Sequence, residues 1–346
     1  MIMKQTEKNM VAPVFPVLNS NKTAIKTCAL AKQNNYSNKI LLGITQGIGN
    51  VIMATPLMKA LRTLNLEIDI LEGGFKPNAT DVLKNMPGVQ IITEEEAEKK
   101  IYLLGLQTIW PRQGIERFCA QARSAGNIIN AWQQGVFAHE VEMNMSLAYT
   151  LNYKGKIPPL YCHYKKDHRF EREPDKKHVG IHVCRQYHHQ FYANRALHKP
   201  LEIATEIVGA GYNPVIIGHK DCVTEDQKKE YPVGTTFMDG LELEQTAGLI
   251  KELDCMINED GGIMHVTAAM DIPQLILFGP TSNMKNRAWS EKAALIKQGN
   301  LSCLPCQFTP RESTCTRNIC MDIDPKYIVS QVKMLIEKFP KTSEIK

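Results

Sequence analysis

At 346 residues the chain is long enough for two domains of ordinary size, and 43% hydrophobic content is enough to build a core in each. A net charge of +5 is mild and diffuse, which argues against a nucleic-acid-binding surface while leaving room for an acidic substrate or a membrane-surface contact. No apolar run reaches the roughly 18 residues needed to span a bilayer.

Residues 1–38 are polar and rich in Lys and Asn. The apolar run Val11 to Leu18 is interrupted by Pro13 and Pro16 and is followed by no cleavage motif, so the segment reads as an extension outside the core fold. The expected compartment is therefore the cytoplasm. There the ten cysteines are better read as thiols or metal ligands than as disulfides.

Lys39 to Ile44 reads as the first strand, Thr45 to Asn50 as a glycine turn, and Val51 to Leu64 as a helix with Val51, Ala54, Met58 and Leu61 on one face. Pro56 is expected near the helix start, where early N–H groups lack partners. Leu66 to Leu71 is the second strand, a short helix ends at Met86, and Val89 to Ile92 is the third strand. This β-α-β-α-β run predicts half of a doubly wound parallel sheet over residues 39–153. Glu94 to Lys100 is a charged surface segment, and Tyr102 to Arg112 contains a strand ending at Trp110-Pro111-Arg112. His139 to Leu151 is helical, with Val141, Met145, Ala148 and Leu151 on one face. Trp110, Trp132 and Arg112 are candidates to line an acceptor site; simple packing is the alternative for the tryptophans.

Residues 154–177 hold Pro158-Pro159 and twelve charged residues, eight of them basic, and read as a solvated inter-domain linker. Strands and helices alternate again from residue 178 to 325. His178 to Cys184 is a strand, and the loop after it carries Arg185, His188, His189 and Arg195. The two adjacent histidines have no carboxylate or cysteine at metal-ligand spacing. Leu201 to Val208 is a helix, Pro214 to Gly218 a strand, and Gly240 to Lys251 a helix. The organising stretch is Leu253 to Ser282: a strand over Leu253 to Ile257, a turn at Glu259 to Gly262, a helix over Ile263 to Met270, a strand over Gln274 to Phe278, and a turn at Gly279-Pro280-Thr281. It places the Asp260 carboxylate and two glycines at the C-terminal end of a parallel strand, against a helix N-terminus. Ligands bind at that edge of open α/β sheets, and a helix N-terminus favours a phosphate.

Cys303-x2-Cys306-x8-Cys315-x4-Cys320 has the composition of a four-thiolate knuckle for structural zinc or iron. Residues 326–346 are a C-terminal helix, with Ile328, Val332 and Leu335 on one face, expected to pack back across the domains.

The string Asp260-Gly261-Gly262-Ile-Met-His265-Val-Thr-Ala268-Ala269, followed by Phe278-Gly279-Pro280-Thr281, resembles the donor-site signature of the heptosyltransferase family of glycosyltransferases. Gly49, Pro56 and Leu57 are similar to the family's opening motif, and His139-Glu140 resembles its later helix start. The resemblance runs over residues 39–335 and is strongest at 39–65 and 255–325. It implies glycosyltransferase B architecture, with two Rossmann-like domains facing a central cleft and the donor in the second. It also implies an inverting transfer of heptose from ADP-heptose without a catalytic metal. The acceptor would be a hydroxyl of a lipopolysaccharide core or of a protein, at the inner face of the cytoplasmic membrane. Asp260, Gly261, Gly262, His265 and Thr281 would serve the donor. Arg185 or Arg195 replaces the family's usual Lys-x-Trp-Pro phosphate contact, because a guanidinium fork binds two oxygens at once. Some members with a cysteine cluster, the autotransporter heptosyltransferases, contain iron.

The chain also departs from the family at the base position. Asn50 stands where the family has an aspartate proposed as base, and a neutral amide cannot take a proton. Two further readings follow: a sugar-nucleotide-binding protein that has lost chemistry, or an interaction scaffold stabilised by a metal knuckle.

Overall fold

The computed structural model describes residues 38–45, 47–73, 78–100, 102, 104–112, 115, 118, 128–131, 138–166, 168–183, 193–299 and 301–341. These divide into two compact units, one ending at His163 and one beginning at Tyr164. Cys184, Arg185, His188, His189 and Trp132 lie outside the described residues.

The first unit is a parallel sheet of β1 (Lys39–Gly43), β2 (Glu67–Leu71), β3 (Val89–Ile92), β4 (Leu104–Gln107) and β5 (Ile128–Asn130), in the order β3-β2-β1-β4-β5. Ile40, Leu41 and Leu42 of β1 are all buried, as expected of a parallel strand covered on both faces. Helix α1 (Ile48–Thr63) follows β1, and α3 (Glu140–Thr150) packs against it; the short α2 (Glu94–Glu98) follows β3. The segment expected as a helix up to Met86 is a 3-10 turn at Ala79–Leu83.

Helix α1 begins three residues earlier than its apolar face suggested, because the glycine turn continues directly into helical geometry. Pro56 therefore lies inside the helix rather than in its first turn. The missing N–H orphans the Ile52 carbonyl, and the Thr55 hydroxyl donates to that oxygen at 2.7 Å. The same hydroxyl accepts from the Tyr161 backbone N–H at 2.9 Å.

The second unit is a six-stranded parallel sheet in the order β11-β10-β9-β6-β7-β8. Its strands are β6 (His178–Val183), β7 (Asn213–Gly218), β8 (Thr236–Asp239), β9 (Cys255–Glu259), β10 (Gln274–Phe278) and β11 (Ala293–Lys297). Counted from β6, this is the doubly wound order 3-2-1-4-5-6. Helices α4 (Pro200–Gly209), α5 (Glu225–Lys228), α6 (Leu243–Glu252), α7 (Gly262–Ala269), α8 (Asn283–Asn286), α9 (Arg311–Thr314) and α10 (Pro325–Lys338) fill the connections and the C-terminus. The apolar face of α10, with Ile328, Val332 and Leu335, is part of this unit's own core and lies on α4, β9 and β10. Strands β5, β8 and β11 carried no sequence expectation. No helix among the described residues is long and apolar enough to cross a membrane.

The charged stretch 154–177 is strapped down on both sides of the unit boundary rather than simply solvated. Lys59 Nζ donates to the Pro159 and Leu160 carbonyls at 2.8 and 3.1 Å, and His163 N–H donates to the Val82 carbonyl at 2.9 Å. On the other side, Lys165 N–H donates to the Glu244 carbonyl at 2.9 Å. The buried Asp254 carboxylate accepts from both terminal nitrogens of Arg172 at 2.8 and 3.0 Å and from the His178 N–H at 2.8 Å. Burial alone would raise the Asp254 pKa, but these donors outweigh it and hold the carboxyl below its ordinary value.

A depressed aspartate pKa means stability that is present above the unfolded value and lost as pH falls through the folded one. Asp254→Asn should therefore destabilise the second unit at neutral pH, by about 3 kcal/mol for a broken buried pair. The deficit should shrink below the ordinary aspartate value of 3.8. Denaturant melts of both proteins across that range check it; a deficit that does not depend on pH would contradict the pairing.

Candidate functional site

In a doubly wound sheet the crevice opens where the strand order reverses, outside the C-terminal ends of the strands. In the second unit that point lies between β6 and β9. Strand β9 ends at Glu259, two residues later than expected from the apolar run, so Glu259 is a strand residue and the turn begins at Asp260. Gly261 is the N-cap of α7, and its backbone is extended at φ −169° and ψ −176°, which any residue can adopt. The benefit of glycine here is space, since a Cβ at Gly261 would meet no protein atom within 4 Å. Gly262 opens the helix, whose first N–H groups have no intrahelical acceptor.

A buried polar network sets α7 against the sheet. Asn258 donates to Thr267 Oγ1 at 3.2 Å and to Gln274 Oε1 at 2.9 Å, and Gln274 Nε2 donates to the Met264 carbonyl at 3.0 Å. Strand β9, helix α7 and strand β10 are thereby tied together directly beneath the turn. His265 is buried within α7.

An ion pair and a histidine–carboxylate contact crown this network. Arg195 Nη1 donates to Asp260 Oδ2 at 3.2 Å, with both side chains nearly buried. His182 Nδ1 lies 2.7 Å from Glu259 Oε1. Burial pushes the Asp260 carboxyl above the ordinary range and the neighbouring Glu259 adds to that, while Arg195 and the buried Thr281 work in the opposite direction. The structure thus brings Arg195, Asp260, Gly261, Gly262 and Thr281 together. The sequence reading missed His182 and Glu259. Their signals were a histidine in an otherwise apolar strand and an acid preceding Asp260.

In the first unit the corresponding reversal lies between β1 and β4. Gly49 and Asn50 lie in the first turn of α1, and Asn50 is half-buried. Asn50 Nδ2 donates to Glu140 Oε1 at 2.9 Å. Glu140 is the first residue of α3 and is 1% exposed. His139 is the N-cap of α3: its Nδ1 accepts from the Val141 N–H at 3.2 Å, and its own N–H donates to the Glu142 side chain at 3.0 Å. Trp110 is half-buried, and its carbonyl accepts from the Thr45 N–H and the Thr108 hydroxyl. Arg112 pairs with Glu94 at 3.2 Å.

Most of the second unit's site falls within residues 201–316, which match the model of glycosyltransferase family 9 (heptosyltransferase). Among curated proteins the chain is 30% identical over 87 residues to a lipooligosaccharide heptosyltransferase 2 of Campylobacter jejuni. That match covers 24% of this chain and 26% of the relative, so the chain spans about a quarter of the length of the curated relatives it matches. The fold is shared with solved glycosyltransferase B enzymes over far more of the chain. A family 9 glycosyl transferase from Veillonella parvula superposes with a TM-score of 0.68 at 13% identity, over 88% of this chain and 99% of that one. The E. coli ADP-heptose LPS heptosyltransferase II gives a TM-score of 0.61 at 16% identity, over 87% and 99%. The iron-containing dodecameric glycosyltransferase TibC of E. coli gives 0.51 at 13% identity, over 87% and 76%.

The cysteine loop lies beside the turn that follows β10. Cys306 and Gln307 N–H groups both donate to the Pro280 carbonyl at 3.0 Å, and Ser282 N–H donates to Gln307 Oε1 at 3.3 Å. Gly279 allows the close approach: a Cβ there would sit 2.6 Å from Met321 Sδ and 3.1 Å from Cys320 Sγ. The expected closed knuckle is not what the structure shows. Cys306 and Cys320 are buried while Cys303 and Cys315 are half-exposed, and among the described residues no three ligating side chains converge on a metal position. Cys320 is turned toward Asn318, with Sγ 3.5 Å from Oδ1. The four thiols are nonetheless close enough to feel one another. Burial pushes Cys320 up to about 11, and the charges of Cys306, Cys315 and Cys303 contribute. Burial also raises Cys306, with Cys303 and Cys315 adding to it.

Arg195→Met should cost about 3 kcal/mol of stability, because it leaves Asp260 buried without its cation. Adding Asp260→Asn to that variant should return most of the loss. Denaturant melts of the two single variants and the double check it; strictly additive losses would show that the pair is not coupled.

Proposed function

We propose that the chain is an inverting glycosyltransferase that moves heptose from ADP-heptose to a hydroxyl of a lipopolysaccharide core. The observation that carries this reading is the Arg195–Asp260 pair at the reversal point, beside the glycine-opened N-terminus of α7. Three features suit a sugar diphosphate: backbone N–H groups for the phosphates, a guanidinium to neutralise the leaving group, and a carboxylate to accept from sugar hydroxyls. Likeness to an ADP-heptose LPS heptosyltransferase and to a lipooligosaccharide heptosyltransferase supports the donor and acceptor classes. All seven described cysteines are free thiols, which supports a reducing, cytoplasmic setting.

A second reading, a donor-binding protein without turnover, is favoured by Asn50 alone. Donor binding does not separate the two readings; product formation does. ADP-heptose at a hundredfold excess over its Kd should stabilise the fold by about 2.7 kcal/mol. Asp260→Ala should weaken that effect. A null result by both thermal shift and titration calorimetry would defeat the donor assignment.

The cysteine loop would hold one structural zinc or iron ion. Cys303, Cys306, Cys315 and Cys320 supply four sulfur donors within electrostatic reach of one another. A bound ion would favour the thiolates and tie the loop to the turn that follows β10. Elemental analysis of purified protein should find one metal per chain, with Cys306→Ser losing it and melting at lower temperature. Metal-free protein with four freely alkylated thiols would overturn this assignment.

A further inference from the structure

Asn50 occupies the position at which the family resemblance places a base, and the structure gives this amide a specific partner. Its Nδ2 donates to Glu140 Oε1 at 2.9 Å across 90 residues of chain. An ionised carboxylate only accepts hydrogen bonds, so the amide cannot present its oxygen to Glu140. Nδ2 is held toward α3, and Oδ1 is left on the other branch of the amide. The contact with Glu140 is the only side-chain hydrogen bond that Asn50 makes among the described residues. Glu140 opens α3, and an acidic side chain there lies at the positive end of the helix dipole. It is also 1% exposed and so does not itself reach an acceptor.

An aspartate at position 50 would meet this carboxylate at hydrogen-bond distance. Two carboxylates that close cannot both ionise, and one must take up a proton. An amide therefore suits Glu140 where an aspartate does not.

We propose that Glu140 is the positioning residue of the first unit's site. It locks the Asn50 amide so that Oδ1 accepts the hydrogen bond of the incoming hydroxyl. Position 50 then orients the acceptor without taking its proton, and the Glu140 carboxyl group lies one step deeper. This rests on the transferase reading above. In the transfer the acceptor oxygen bonds to the anomeric carbon, and the bond from that carbon to the diphosphate oxygen breaks with its electron pair going to the diphosphate. The hydroxyl proton passes to water.

The test is a four-protein cycle: wild type, Asn50→Asp, Glu140→Gln and the double variant. Melting temperature at neutral pH needs neither donor nor acceptor. Asn50→Asp alone should melt lower than wild type. The double variant should recover, because the amide introduced by Glu140→Gln can donate to the carboxylate introduced by Asn50→Asp, which restores the pair with its polarity reversed. If N50D melts like wild type, or E140Q does not rescue it, the couple is not made and the proposal falls. With ADP-heptose and a heptose-accepting core oligosaccharide, Glu140→Gln should raise the acceptor KM about tenfold, since the amide is no longer locked by a charged partner. Donor affinity should not change. N50D/E140Q should raise kcat about a hundredfold, because one carboxylate now faces the hydroxyl. An active Glu140→Gln with unchanged acceptor KM would leave the pair purely structural and overturn the positioning role. Failure of every variant to bind ADP-heptose would instead overturn the transferase reading.

Discussion

The second unit depends on the parallel pairing of β6 with β9, in which Val179 lies opposite Cys255 and Ile181 opposite Ile257. Two parallel strands cannot be joined by a hairpin, so the chain leaves β6 on one side and returns to β9 after building the other half of the sheet. The connections that follow β6 and β9 lead to opposite halves of the sheet, which is where a crevice opens in this topology. His182, Glu259 and Asp260 are all at this edge, and the Arg195 side chain reaches it from the connection after β6. Charged groups concentrate where the topology leaves a gap, while the strand interiors stay apolar. The buried Asn258, Thr267 and Gln274 then hold α7 in register beneath them.

The same topology is used in the first unit with different chemistry. There the reversal point is lined by an amide and by a carboxylate that arrives from α3. The two units thus share a strand order and differ in the charge they place at its crevice. A cation–carboxylate pair marks one crevice, and an amide held by a buried carboxylate marks the other.

The alternation of strands and helices was legible from sequence because each long element carries its own period. Strand β1 reads as an unbroken apolar run, and Gln274 to Phe278 was placed to the residue. Asp260, Gly261 and Gly262 were legible for another reason: a glycine turn between strand and helix is common, but the longer string that holds them resembles the heptosyltransferase donor signature. What could not be read is contact between distant residues. Nothing local in the sequence ties Asn50 to Glu140, or His182 to Glu259. Boundaries failed where a polar residue completes a strand, as Glu259 does, or where the helix starts within a glycine turn, as at Ile48. The cysteine spacing singled out four thiols of one loop, but spacing carries no information about which way Cys320 turns.

The Thr55 hydroxyl has a consequence for exchanging parts between relatives. It caps the carbonyl that Pro56 leaves open and at the same time receives the Tyr161 N–H. Residues 55, 56 and 161 therefore form one inherited unit although more than a hundred positions separate them. A chimera that joins the first half of this chain to the second half of another should cross over after His163, not among the prolines at 158 and 159. A junction at those prolines looks natural from composition, yet it would give Thr55 a foreign partner and leave the lysine at position 59 facing carbonyls from another lineage.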